Sequence, residues 1–293
     1  MKRSKGWIAL FIMPSALLFL TIYAIPLVIV LFTSLYDYRL FPNRFDFVGL
    51  GNFLALFTRD RAFSAAIVNN LVWILVHTTV HIAIGTVLAL ILYKKPRGWR
   101  AVRVIYMIPS IISNAAVAMI FVNIYNPSYG VINSFLRMVN LGGLQRNWLF
   151  DPSTSFVSVM MIWTLFSGYN TTLILAQALS IDEGILEAAR VDGANKVQAD
   201  LLIVLPLVKR MVATTMIMAV TYMLQLFDLI YLTTKGGPGN STTNLPLLLY
   251  RTAMTENNYG YANAIGVVII GLGLIFMGLI NRTLNVNDEA QSG

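Results

Sequence analysis

Long apolar runs constrain this chain more than any other feature. A helix needs about 20 apolar residues to cross a hydrocarbon core. Six stretches reach that length, at about 7–35, 63–93, 102–125, 155–178, 212–232 and 261–280. Only 12% of the residues are charged and the mean hydropathy is +0.70. A soluble domain carries about twice that charged fraction. The expectation is an all-α integral membrane protein with six transmembrane helices, forming one domain over residues 1–293. Lys2, Arg3 and Lys5 before the first run resemble the start of a signal peptide. That run is too long for one, and no small-x-small cleavage site follows it, so it reads as a retained helix. Pro14 and Pro26 are expected to kink it.

The distribution of basic residues orients the spans. With both termini in the cytoplasm, inside loops hold 13 of the 21 Lys and Arg residues and the longer outside loops hold 8. The densest run is Lys94, Lys95, Arg97, Arg100 and Arg103. The positive-inside rule then places residues 180–206 in the cytoplasm. It also accounts for the net charge of +8 without nucleic acid. The expected location is a membrane that borders the cytoplasm. Turn-rich clusters such as Gly236-Gly237-Pro238-Gly239-Asn240 fall outside. A short interfacial helix is expected over Leu245–Met254.

Several chemistries are excluded. The chain has no cysteine, so disulfides, thiolate catalysis and Cys-based metal sites are absent. It has no G-x-x-x-x-G-K-[ST] phosphate loop and no G-x-S-x-G nucleophile turn. His77 and His81 are one turn apart, but Thr78 stands where an H-E-x-x-H zinc site needs glutamate. They read as interhelical hydrogen-bonding residues, and no metal or cofactor is assigned.

Polar groups within spans face protein or a water-filled path. At about 100° per residue, Thr214, Thr221, Gln225 and Asp228 share one stripe of the fifth segment. Trp163, Ser167, Asn170 and Gln177 share one in the fourth, and Ser110, Ser113, Asn114 and Phe121 cluster in the third. Hydrogen-bonding groups beside aromatics suit an uncharged solute with hydroxyls and an apolar face. Trp163, Ser167, Asn170, Gln225 and Asp228 are the candidate pathway residues. The competing role is hydrogen bonding between helices. Gly266, Gly271, Gly273 and Gly278 read as packing positions in the sixth segment.

The cytoplasmic stretch 180–206 has its own grammar. Asp182 can cap a helix and Glu183 suits its first turn. Gly193 can end that helix in the left-handed conformation. A second helix follows from about Asn195, and Pro206 permits a break before the fifth segment. Glu187, Ala188, Ala189, Gly193, Ile203, Leu205 and Pro206 match the spacing E-A-A, three residues, G, nine residues, I, one residue, L-P. This pattern resembles the signature loop of ABC importer permeases. The resemblance extends to residues 227–238, Gly130-Val131-Ile132-Asn133, residues 147–152 and residues 257–264. These resemble sugar-type permeases of the maltose/oligosaccharide and glycerol-phosphate group, and the Gly-Gly-Pro ending resembles the first permease of a pair. Ile181 is followed by Asp182 where relatives often carry proline.

The resemblance implies the type I ABC importer fold, a bacterial or archaeal cytoplasmic membrane, and a permease that is not itself an enzyme. Two homologous permeases would pair above an ATPase dimer that carries ATP and Mg, and an extracytoplasmic binding protein would deliver a sugar. The loop would couple the two layers through Glu187, Ala188, Ala189, Asp192, Gly193 and Pro206. Glu187 would pair with a basic group of the ATPase, and Ala188 and Ala189 would allow close approach. Gly193 would set the helix–helix angle, and Pro206 the turn into the fifth span. Three alternatives stay open: the same architecture importing glycerol phosphate or another polar solute, a membrane-embedded enzyme using the two histidines, and an ion-driven secondary transporter.

Overall fold

The computed structural model describes residues 4–164 and 166–284. In chain order come helix α1 (Leu10–Thr33), an antiparallel hairpin of β1 (Tyr36–Arg39) and β2 (Arg44–Phe47), α2 (Gly51–Arg59), α3 (Arg61–Leu92), α4 (Trp99–Ile111), α5 (Asn114–Ile124), α6 (Val131–Met138), α7 (Ser155–Leu179), α8 (Glu183–Val191), α9 (Lys196–Gln225), α10 (Asp228–Thr233), α11 (Leu245–Tyr250) and α12 (Tyr259–Leu284). Helices α1, α3, α7, α9 and α12 are each long and apolar enough to cross a membrane. The pair α4–α5 makes a sixth crossing if its two halves are one broken span.

Three of the expected straight segments are interrupted. Between α4 and α5 the chain turns by 97°. Ile112 and Ser113 are extended there, and the Ser113 hydroxyl caps α5 by accepting from the Ala116 amide. In α7 the regular helix is interrupted before Gly168, where the Phe166 amide turns to the Trp163 carbonyl three residues back. Between α9 and α10, Leu226 is extended and its carbonyl accepts from Asn244 Nδ2 at 2.5 Å. Each break resets the angular phase of the residues beyond it, so a stripe drawn across a break is not one face.

Pro206 behaves differently from expectation. It does not break the chain: α9 runs continuously from Lys196 through it. A wide π-type turn, Asp200–Val204, precedes it. A proline ring meets the carbonyl four residues back, and widening the preceding turn relieves that clash without ending the helix. Pro26 follows the wide turn Leu20–Ala24 at the same offset.

Residues 4–64 form one compact unit with Leu248–Gly271. Ion pairs among Asp37, Arg39, Arg44 and Asp46 brace its hairpin. Gly260 lies against the hairpin backbone, where a Cβ would fall 1.9 Å from the Tyr36 carbonyl oxygen. Tyr261 donates to Asp60 at 3.0 Å and Asn263 to Thr33 at 2.6 Å.

Ala65–Leu247 form the second unit together with residues 272–284. Glycines let its helices meet at backbone distance. Gly168 of α7 abuts Tyr106 and Met107 of α4, and Gly85 of α3 abuts Asn170 and Thr171 of α7. Asn70 is fully buried and joins distant segments, donating to the Met223 carbonyl and accepting from the Leu245 amide. Asn69 donates to the carbonyls of Asn240, Ser241 and Thr243. These two amides pin the turn-rich loop before α11. Of the glycines in α12, Gly266 and Gly273 meet side chains, whereas a Cβ on Gly271 or Gly278 would meet nothing within 4 Å. The last two are not packing positions in this chain.

Candidate functional site: a helix hairpin and a membrane cavity

The hairpin is built from caps. Asp182 Oδ1 accepts from the Gly184 amide at 2.8 Å and starts α8. At the other end Asp192 is the C-cap and Gly193 has φ +86°. The Ala194 amide donates to the Ala189 carbonyl and the Gly193 amide to the Arg190 carbonyl. Those two bonds are the paired C-terminal closure that a left-handed residue makes possible. Asn195 and Gln198 then form a reciprocal capping box that starts α9. Sequence alone thus places the turn because every device in it is local.

Glu187, Ala188, Asp192, Gly193 and Pro206 are exposed. Ala189 is not: it is buried within this chain, 7% exposed. The two alanines are therefore not equivalent: successive helical residues point about 100° apart, and only Ala188 lies on the exposed face. Ile185 and Val191 are exposed beside Ala188, so the outer face of α8 is apolar with an acidic rim. Its inner face carries Leu186 onto a core of Ala89, Leu92, Ile174, Ala178, Val204 and Val208.

The second feature is a cavity of about 330 Å³ walled by α3, α4, α5, α7, α9 and α10. Trp163 and Asn170, two of the candidate pathway residues, line it. So do Ser110 and Asn114, on either side of the α4–α5 bend. Ser167 does not; it is fully buried with its hydroxyl unpartnered among the described residues. Gln225 and Asp228 are exposed and lie outside the cavity. The break at Leu226 puts Asp228 on a separate helix, so of the two only Gln225 shares a stripe with Thr214 and Thr221, on the exposed face of α9.

Sequence reasoning missed much of the wall. Tyr222 donates to Asn114 Oδ1 at 2.9 Å across it. Tyr169, Phe166 and Met218 contribute as well. His77 and His81 also line it, with rings stacked 4.0 Å apart inside the wide turn His77–His81. The Thr164 carbonyl can only accept, so His81 donates to it from Nδ1, at 2.9 Å. His81 thus bonds between helices, whereas His77 Nδ1 has no partner among the described residues, and both rings face the cavity. Bulky polar side chains at mid-span were the available signal. No Asp, Glu, Lys or Arg is among the lining residues. Among the described residues no group of three or more potential metal ligands occurs.

Membrane crossings that enclose a cavity, with a capped helix hairpin between two of them, define a multi-pass permease subunit. Residues 81–284 match the family described as binding-protein-dependent transport system inner membrane component, and the chain belongs to that family. The chain is 35% identical over 264 residues to the probable ABC transporter permease protein YurN of Bacillus subtilis, covering 89% of this chain and 90% of that protein. It is 31% identical to the multiple sugar-binding transport system permease protein MsmF of Streptococcus mutans, covering 93% of each chain. It is 30% identical to the trehalose/maltose transport system permease protein MalF of Thermococcus litoralis, covering 91% and 90%. The fold superposes on a subunit of a bacterial ABC transporter that imports the acidic polysaccharide alginate, with a TM-score of 0.83 at 22% identity over 98% of this chain and 97% of that one. The mostly helical architecture is thus that of an ABC importer permease.

Proposed function

We propose that this chain is a carbohydrate-translocating permease of an ATP-driven importer. It works beside a second, homologous permease. ATP and Mg are held by a separate ATPase dimer docked on the hairpin, and an extracytoplasmic binding protein delivers the sugar. Both termini are cytoplasmic. The observation that carries the substrate class is the uncharged cavity: aromatic faces of Trp163, Phe166 and Tyr169 beside Asn114, Asn170 and Tyr222. Sugar hydroxyls need donors and acceptors, while the C–H faces of the ring pack on aromatics. A phosphate ester would leave its charge without a cation in this wall, which disfavours glycerol phosphate. The sugar-transport names of the relatives at about 30% identity support the same reading.

Solute would enter from the binding protein, and closure of the ATPase pair would shift the hairpin and exchange the access of the cavity between sides. The test is uptake into proteoliposomes by the complex that copurifies with this chain, supplied with ATP and binding protein. Neutral di- and oligosaccharides should be taken up in preference to sugar phosphates, and Trp163→Ala or Asn170→Ala should reduce uptake. Preferential uptake of a phosphorylated solute, or uptake by this chain alone without ATP, would sink the reading.

A further inference from the structure

Asp200 lies in the wide turn at the start of α9, outside the motif positions of the hairpin. Its side chain is only 14% exposed, and both carboxylate oxygens are engaged. Tyr93 donates to Oδ1 at 2.5 Å, and the Lys94 ammonium pairs with Oδ2. Tyr93 and Lys94 are the first two residues beyond α3. Lys94 also lies over the Tyr93 ring, 5.8 Å from its centre. Tyr93 packs on the same apolar core that receives Leu186 from α8 and Val204 and Val208 from α9. The root of the hairpin and the end of α3 are therefore joined by a carboxylate clamp over a shared core.

The position of the clamp matters mechanically. A π-type turn has poorer hydrogen bonding than an α-helix and is a place where a helix yields. Asp200 sits on the hairpin side of the turn Asp200–Val204. A push on α8 transmitted only through α9 would be absorbed in that turn. The clamp offers a second route, into α3. From Tyr93 that helix runs 12 residues back to His81, about 18 Å at 1.5 Å per residue, and there it forms the cavity wall.

We propose that Asp200 is a positioning residue that locks the hairpin to α3, so that displacement of the hairpin moves the His77–His81 wall of the cavity. The proposal rests on the reading of the hairpin as the ATPase-coupling element.

The test uses the whole copurified transporter in proteoliposomes and reads solute imported per ATP hydrolysed. Asp200→Asn, Tyr93→Phe and Lys94→Met should each lower that ratio at least threefold, while the amount of copurified ATPase and its basal hydrolysis stay unchanged. The Tyr93→Phe/Asp200→Ala pair should be little worse than Asp200→Ala alone, because removing the carboxylate already abolishes the contact that Tyr93→Phe takes away. The charge-swapped pair Lys94→Asp/Asp200→Lys should recover over half of the ratio, which a merely misfolded variant would not do. An unchanged ratio in Asp200→Asn with normal ATPase binding overturns the proposal alone, and so does a swapped pair no better than its singles. If the unaltered chain brings down no ATPase, the coupling reading falls and the proposal with it.

Discussion

Gly168 of α7 lies directly against Tyr106 of α4: a Cβ built on the glycine would stand 2.1 Å from the tyrosine carbonyl oxygen. The obstacle is backbone, so no side-chain rotation relieves it. This contact seats α4 on α7 beside the cavity, and the α4–α5 bend then carries Asn114 to Tyr222.

Gly168→Ala should destabilise the chain by roughly 1–3 kcal/mol, the usual cost of overpacking a close contact. Gly278→Ala is the control, since a Cβ there meets nothing within 4 Å. Thermal unfolding in detergent should show a clear loss for the first and almost none for the second. Equal melting temperatures would show that α4 and α7 do not meet as described.

Gly193 has φ +86° with open space around it, so its constraint is conformational and not steric crowding. Gly193→Val should cost about 1–2 kcal/mol of local conformational energy. Gly193→Asn should be milder, because Asn tolerates the left-handed region. Protease sensitivity between Val191 and Lys196 should rise in the order wild type, Asn, Val. Indistinguishable Asn and Val variants would argue against the left-handed turn.

Asn70 bridges Met223 and Leu245 in the interior. Asn70→Ala leaves a buried carbonyl and a buried amide unpaired, each worth about 1–3 kcal/mol. The chain should lose thermal stability, and amide exchange should accelerate at the start of α11. Asn69→Ala should act on a different segment, freeing the three carbonyls at Asn240–Thr243. A stable Asn70→Ala protein with slow exchange at Leu245 would contradict the buried bridge.

Tyr222→Phe removes only the hydroxyl that donates to Asn114. If the cavity holds the solute, half-saturation of ATP-driven uptake should rise several-fold with assembly intact. Asp228→Ala and Gln225→Ala, outside the cavity, should leave half-saturation unchanged. The reverse pattern would relocate the pathway to the exposed face of α9 and α10.

How much could be read from residues alone depended on the range of the forces involved. The apolar runs announced the membrane helices, because lipid leaves a backbone no choice but internal hydrogen bonds. The hairpin was equally legible: Asp182, Gly193 and Asn195 act on amides within a few residues of themselves. The helix breaks were not. Leu226 is extended because Asn244, 18 positions away, takes its carbonyl, and no local pattern encodes that partner. The π-type turn at Asp200 was hidden for a related reason, since proline normally signals a stop and here the helix widens and continues.

Sequence by itself thus determined the solvent this protein folds in, its helices and its capped hairpin, all consequences of hydropathy and local hydrogen bonding. Tertiary structure alone decided the cavity. It placed Trp163 and Asn170 in the wall, sent Gln225 and Asp228 outside it, buried Ala189, and recruited His77, His81 and Tyr222. Which side chains face one another depends on the breaks that reset helical phase and on the glycines that set helix separation, and both are fixed by contacts between residues far apart in the chain.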